Sequence, residues 1–403
     1  MAQKQQKLKT KRRVIILGGG FGGVKAALEL AGNLNYKLTL ISDQDNFRYY
    51  PTLYRAAMGG SKTISSFPLG DIFHDKDINL VNDSAVSIDR QNKTVKTASG
   101  KSHSYDLLVI ALGVVTNFFN IKGLDKYAFG IKTLEEAQRL RDHLHQQLVE
   151  DSKPDVNYII IGGGATGVEL AGALPHYIRH IMKNHGLKRG AVNVELVESA
   201  PRLMPRMPRP YSLALARRLR RLGVSLHLGQ TVQAQTAAEL MVNGKPLDSH
   251  TVVWTAGVTC HPFLKQNSFA LSEHGKALVD KYLQAEPGIY VLGDNADTPY
   301  SGMAQTALHD GAFVANQLVD LASGKAPKEY RAKKPIYITP VGGRWAAMLW
   351  GRTQIYGVGA WALRGIADLA GFHDLQPIVP ASKRWIAMAN HEESCALCFR
   401  KPN

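Results

Sequence analysis

Cysteine is scarce in this sequence: three in 403 residues, at Cys260, Cys395 and Cys398. So few thiols exclude a disulfide framework and point to a reducing compartment. Long hydrophobic runs are also missing. No stretch of about eighteen uncharged apolar residues occurs, so no spanning helix is expected. Acidic residues are outnumbered, 33 against 49 basic ones, and the formal net charge is +16. That balance suits an anionic partner, a membrane surface or nucleic acid, and equally a plain solubility device. No Ser/His/Asp or Cys/His arrangement can be placed. Cys395-x-x-Cys398 offers two of the four ligands a structural zinc needs. His176 and His180 share a helix face, but no glutamate stands between them as in a zincin motif. No metal is expected.

What remains is an ordinary globular composition, 45% apolar and 20% charged, long enough for two or three domains. A basic tail (Lys4, Lys7, Lys9, Lys11, Arg12, Arg13) precedes the first apolar run. No apolar segment lies between them, so a secretory signal is not expected. The run Val14–Leu17 reads as a buried strand and opens into G-x-G-x-x-G at Gly18, Gly20 and Gly23. An amphipathic helix pattern follows (Val24, Ala27, Leu28, Ala31), then a strand over 38–42 ending in Asp43. Gly18 permits the tight turn, Gly20 lets backbone approach a pyrophosphate, and Gly23 lets helix and strand pack closely. The phosphates would sit on free N–H groups at the helix N-terminus, with Asp43 on a ribose hydroxyl.

The same unit recurs after a helix expected over 135–150. Tyr158–Ile161 is a strand, Gly162, Gly164 and Gly167 form the second loop, a long helix passes Pro175, and the strand 193–197 ends in Glu198. Two such units imply two dinucleotides, and an enzyme holding two passes a hydride between them. Glu198 would accept from ribose hydroxyls and repel a 2′-phosphate, which favours NADH, although Arg202 and Arg206 nearby keep NADPH open. Two buried strands end in glycine, Tyr105–Gly113 and Thr251–Val258. A further strand ends in Gly293-Asp294, whose carboxylate can bind the ribityl hydroxyls of a flavin. The fold class is therefore α/β: two Rossmann-like dinucleotide-binding domains, for FAD and NADH, the second inserted in the first. The expected boundaries are a tail over 1–11, FAD domain over 12–120 and 261–334, NADH domain over 121–260, and a C-terminal region over 335–403. That last region holds four of the five tryptophans among arginines and lysines (Arg344, Trp345, Trp350, Trp361, Arg364, Lys383, Arg384, Trp385), suiting a bilayer interface.

Taken together, the two loops, the aromatic segment over 46–54, Trp254-Thr255-Ala256-Gly257-Val258, Gly293-Asp294 and Ala304-Gln305-Thr306-Ala307 closely resemble the type II NADH:quinone oxidoreductases. The resemblance runs from about Arg12 to Gly311; Leu112 departs from the usual Ala-Thr-Gly strand ending. It implies FAD and NADH as cofactors, a quinone as acceptor and no proton pumping. It implies Glu169 and Gln305 near the reacting rings. It implies FAD contacts from Gly18, Gly20, Phe21, Gly22, Gly23, Asp43, Pro51, Thr52, Ala111, Gly113, Gly293, Asp294, Ala304 and Gln305. NADH contacts fall to Gly162, Gly164, Thr166, Gly167, Glu169, Glu198, Ala256 and Gly257. A peripheral place on the cytoplasmic face of the inner (cell) membrane follows, with a homodimer admitted and no nucleic acid expected. The competing readings are a soluble flavin reductase serving an iron–sulfur or disulfide protein, and a nucleic-acid-binding flavoprotein resembling apoptosis-inducing factor. For Glu169 and Gln305 the bland alternatives are a solvated acid at a helix start and an ordinary helix-surface residue.

Overall fold

The computed structural model describes residues 11–150, 154–187 and 192–390. Residues 1–10 of the basic tail, and Cys395 and Cys398, lie outside them. In chain order the principal elements begin with β1 (Arg12–Leu17), α1 (Phe21–Leu30), β2 (Tyr36–Ser42), α2 (Leu53–Ala57), β3 (Ile78–Asn82) and β4 (Leu107–Ile110). Next come α3 (Leu134–His145), β5 (Tyr158–Ile161), α4 (Ala165–Asn184), β6 (Val194–Glu198), α5 (Arg209–Arg221), β7 (Val224–Leu228) and β8 (Thr251–Trp254). The rest are β9 (Gln284–Glu286), β10 (Ile289–Val291), α6 (Ala304–Ala322), β11 (Tyr337–Pro340), β12 (Ala346–Trp350), β13 (Thr353–Gly357), α7 (Val358–His373) and α8 (Ile378–Asn390).

Contacts divide the chain into two units. Among the described residues, the first gathers 11–47 with Pro68–Val115 and Thr259–Pro335. Its six-stranded sheet runs β9-β10-β4-β1-β2-β3, parallel except for the β9–β10 pair. Strands covered on both faces carry continuous apolar runs, and β1 and β4 do so with Val14–Leu17 and Leu107–Ile110 all buried. Helices α1 and α6 cross through glycine. A Cβ on Gly311 would overlap the Gly22 carbonyl, and one on Gly22 would overlap Leu292.

Among the described residues, the second unit gathers Arg48–Phe67, Thr116–Val258 and 336–390. Its parallel sheet runs β7-β6-β5-β8. A three-stranded antiparallel sheet, β11-β12-β13, packs its Ala347 and Leu349 into the same core as α4 and α5. Its other face, at Ala346 and Met348, meets Ala360 of α7. Contacts thus gather Arg48–Phe67 and, among the described residues, 336–390 with the second unit, whereas the sequence reading had allotted 48–67 to the stretch 12–120 and 335–403 to a region of its own. Long-range packing explains both: Tyr49 and Phe67 meet Phe372 of α7, and Arg384 of α8 lies over the Phe67 ring. The helix expected over 135–150 is α3, opened by a Thr133–Glu136 capping box, followed by a π-helical turn over Gln146–Glu150.

Candidate active site

Both glycine loops have one geometry. In the first, the Gly18 N–H donates to the Ile41 carbonyl (2.8 Å) and Ala111 N–H to Leu17 (2.8 Å). In the second, Gly162 N–H donates to Val197 (2.8 Å) and Thr255 N–H to Ile161 (2.8 Å). Gly18 and Gly162 have φ of +107° and +113°, where a side chain would be strained. A Cβ on Gly23 would strike the Gly18 carbonyl, and one on Gly167 the Gly162 carbonyl. Gly20 and Gly164, the helix N-caps, face open space. Helix N-termini with bare backbone donors and no acid in the first turn fit a dinucleotide diphosphate at each loop.

The two strand ends differ. The matched bonds of Gly18 and Gly162 make Ser42 the counterpart of Glu198. Glu198 accepts from Gly163 N–H at 2.5 Å and from Ala200 N–H at 2.7 Å, so its carboxylate is fixed against the loop. Ser42 is buried, and its hydroxyl accepts from Gln44 N–H (3.2 Å). Asp43, the expected ribose acid, sits one residue further on and is exposed. Arg202 is committed to its own loop, donating to Met207 and Pro205 carbonyls and to Ser212 Oγ. Arg206 is exposed.

In the first unit, Asn295 joins two strand ends. Its buried amide donates to the Gly113 carbonyl (2.7 Å) and accepts from Gly113 N–H (2.7 Å). Asp294 Oδ1 accepts from Gly302 N–H at 3.0 Å, so this half-buried carboxylate is oriented by the turn. Gln305, beside Ala304, is exposed in the first turn of α6. Phe21 is buried edge-on against Phe47 (4.9 Å). A carboxylate on an oriented turn beside an open glycine loop fits a flavin dinucleotide with a ribityl chain.

In the second unit, Thr166 and Ala256 are exposed, while a Cβ on Gly257 would overlap the Asn117 carbonyl. Thr52 turns its hydroxyl into the core, toward the Ile64 carbonyl (3.0 Å) and Ser65 Oγ (2.9 Å). Glu169 lies in the second turn of α4 and is buried. It is therefore not a solvated acid at the helix start. Burial pushes its pKa up to about 7, against the pull of Arg364.

Sequence reasoning missed the partner that arrives from α7. Buried Arg364 reaches Glu169 Oε1 at 3.4 Å, Asp368 at 2.9 Å, the Pro51 carbonyl at 3.1 Å and the Ile338 carbonyl at 3.0 Å. Burial opposes its charge, but Asp368 and Glu169 outweigh that, and Arg364 stays a cation. The only signal in the sequence was the i,i+4 pair of Arg364 and Asp368 inside an otherwise apolar segment.

A family model, pyridine nucleotide-disulphide oxidoreductase, matches residues 12–311. The chain belongs to that family. Curated relatives include the type II NADH:quinone oxidoreductase of Staphylococcus haemolyticus, 25% identical over 79% of this chain and 85% of that protein. The protein of the same name from Staphylococcus epidermidis (strain ATCC 12228 / FDA PCI 1200) is 25% identical over 93% of this chain and 98% of its own. Among solved structures, NDH2 from Plasmodium falciparum in complex with NADH shares the fold with a TM-score of 0.83. It is 17% identical, covering 96% of this chain and all of that one. The sulfide:quinone oxidoreductase of Aquifex aeolicus follows at 0.75 and 23%, over 88% and 89%.

Proposed function

We propose that this protein is an FAD-dependent, non-proton-pumping NADH:quinone oxidoreductase that works from the cytoplasmic surface of the cell membrane. The observation that carries the reading is the repeated loop geometry, with an oriented carboxylate at Asp294 in one unit and at Glu198 in the other. Two loops of this kind call for two dinucleotides. The staphylococcal relatives, which bear the name type II NADH:quinone oxidoreductase, support the choice of substrates.

FAD, when bound, supplies a two-electron carrier that takes a hydride from NADH and returns electrons to a quinone. The chain itself binds, orients and excludes water. Gly18–Gly23 and Gly162–Gly167 present backbone donors to phosphate, Asp294 suits ribityl hydroxyls, and Glu198 suits the ribose hydroxyls of NADH while opposing a 2′-phosphate. Glu169, titrating near neutrality, holds or releases a proton at its carboxylate, and Arg364 fixes where that carboxylate points. Gln305, exposed at the start of α6, serves as the polar contact for the acceptor.

For the membrane, α7 and α8 expose Val358, Ile366, Ile378, Val379 and Ile386, and Trp350 is exposed on β12. Arg344 and Lys383 are exposed nearby in sequence. Among the described residues no helix is long and apolar enough to cross a membrane. Exposed apolar side chains with exposed basic ones near them in sequence suit a helix lying in an acidic interface.

Anaerobic stopped-flow absorbance tests the reading: the flavin is bleached with one equivalent of NADH, then mixed with a short-chain quinone. Fast bleaching and fast recovery are expected. Slow recovery with quinone would move the acceptor to a protein, and bleaching by NADPH alone would overturn the role given to Glu198.

A further inference from the structure

One buried carboxylate takes no part in the chemistry above. Asp310, on α6, is fully buried and pairs with no cation among the described residues. Both of its oxygens are nevertheless used. Oδ2 accepts from the Gly293 N–H at 3.0 Å, and Oδ1 accepts from the Tyr330 hydroxyl at 2.6 Å. Gly293 begins the turn that carries Asp294 and Asn295, with a φ of +65° open to few other residues. The same turn is held by Ser301, whose hydroxyl donates to the Gly293 carbonyl (3.2 Å). Tyr330 is itself fixed. Its N–H donates to the Lys281 carbonyl (2.7 Å), and its ring meets Phe313 (5.1 Å) and His309 (5.6 Å).

We infer that Asp310 is a positioning residue of the flavin site: it holds Gly293, and through it Asp294, in the attitude that ribityl hydroxyls require. The inference rests on the flavin reading and deepens it by naming what builds that half of the site. A carboxylate suits the place because it accepts on both sides at once, from a backbone amide and from a phenol. Burial lifts its pKa, while the Tyr330 and Gly293 donors act the other way and favour the anion. An asparagine there would keep the Gly293 bond through its oxygen and give its N–H to Tyr330, whose hydroxyl can accept as well as donate. An alanine would strand both the buried N–H and the phenol.

The test uses the purified holoprotein and the variants Asp310→Ala, Asp310→Asn and Tyr330→Phe. The rate of FAD release is followed by the rise in flavin fluorescence, and the flavin midpoint potential is measured beside it. Asp310→Ala should release FAD about tenfold faster or more, with Asp310→Asn restoring retention to within about threefold of the parent. Asp310→Asn should also raise the potential, because the carboxylate that accepts from Gly293 and Tyr330 becomes a neutral amide. Unchanged FAD release in a folded Asp310→Ala protein would overturn the inference. So would an Asp310→Asn protein with unchanged potential and no recovery of retention. If Asp310→Ala does not fold, the potential of Asp310→Asn and the FAD release of Tyr330→Phe decide in its place. A parent protein without flavin absorbance would sink the flavin reading itself, before any variant is compared.

Discussion

Serine stands at position 42 where the second unit has Glu198, and this difference separates two otherwise matched strand ends. Glu198 ties both carboxylate oxygens to backbone amides, so the carboxylate is fixed in place, and under the proposed function it faces the ribose of NADH. Glu198→Gln should keep part of that hydrogen bonding and lose the repulsion. Its preference for NADH over NADPH, read as a ratio of kcat/KM values, should narrow by about tenfold. Glu169 makes a second test at this scale. Its pKa is raised to about 7 by burial, so it is protonated below neutrality and, above it, ionised against Arg364. Turnover of the parent should show an inflection near pH 7 that Glu169→Gln flattens; a variant retaining the inflection would assign the titration to another group. Of these residues, Glu198 was legible because a strand-end acid after a glycine loop is a local pattern. Asp43 stands one position beyond the counterpart of Glu198, because an apolar run does not reveal where its last ladder bond falls. Asp310 and Asn295 were invisible, since their partners Gly293 and Gly113 are set by packing.

Helix α7 turns two faces to different tasks. Inward it carries Arg364 and Asp368, both buried; outward it carries Val358 and Ile366. Arg364 meets Glu169 across 195 positions of sequence, a distance at which no periodicity informs. Removing a buried cation leaves its acids uncompensated, which costs on the order of 3–5 kcal/mol. Arg364→Met should therefore lower the melting temperature and most of the turnover, while Arg364→Lys, keeping charge but not the fork, should recover stability more than activity. A Met variant as active as the parent would remove Arg364 from the site. At the α1–α6 crossing, Gly311→Ala would press a methyl on the Gly22 carbonyl. Because backbone cannot yield as a side chain does, that variant should lose about 1–3 kcal/mol of stability, measured by denaturant melts, and retain FAD poorly. The crossing was only half visible: Gly22 reads as part of the loop, whereas its neighbours Leu292 and Ala307 give it a packing reason.

Across the whole molecule, the excess of +16 charges and the exposed apolar residues of α7 and α8 bear on where the protein works. Cosedimentation with vesicles containing acidic phospholipid should be strong at low salt and fall as ionic strength rises through the physiological range, where the screening length is about 8 Å. Equal binding to neutral vesicles would make the apolar face sufficient and the charge incidental. The architecture was legible from the repeated strand–glycine–helix unit alone. The contacts of the segment over 48–67 with α7 and α8 were not, because side chains distant in sequence make them. The near-identity of the two loops also sets a problem of addressing: two sockets of one pattern would each admit the other's plug. Under the proposed function, what tells them apart lies beyond the loops. In the first unit β4 is flanked by β10, whose end brings Gly293, Asp294 and the Asn295 clamp, whereas in the second the matching β8 is the edge of its sheet. Exchanging the loops between the units should therefore leave each dinucleotide at its own address, while transplanting the strand that ends in Gly293-Asp294 would rewrite it.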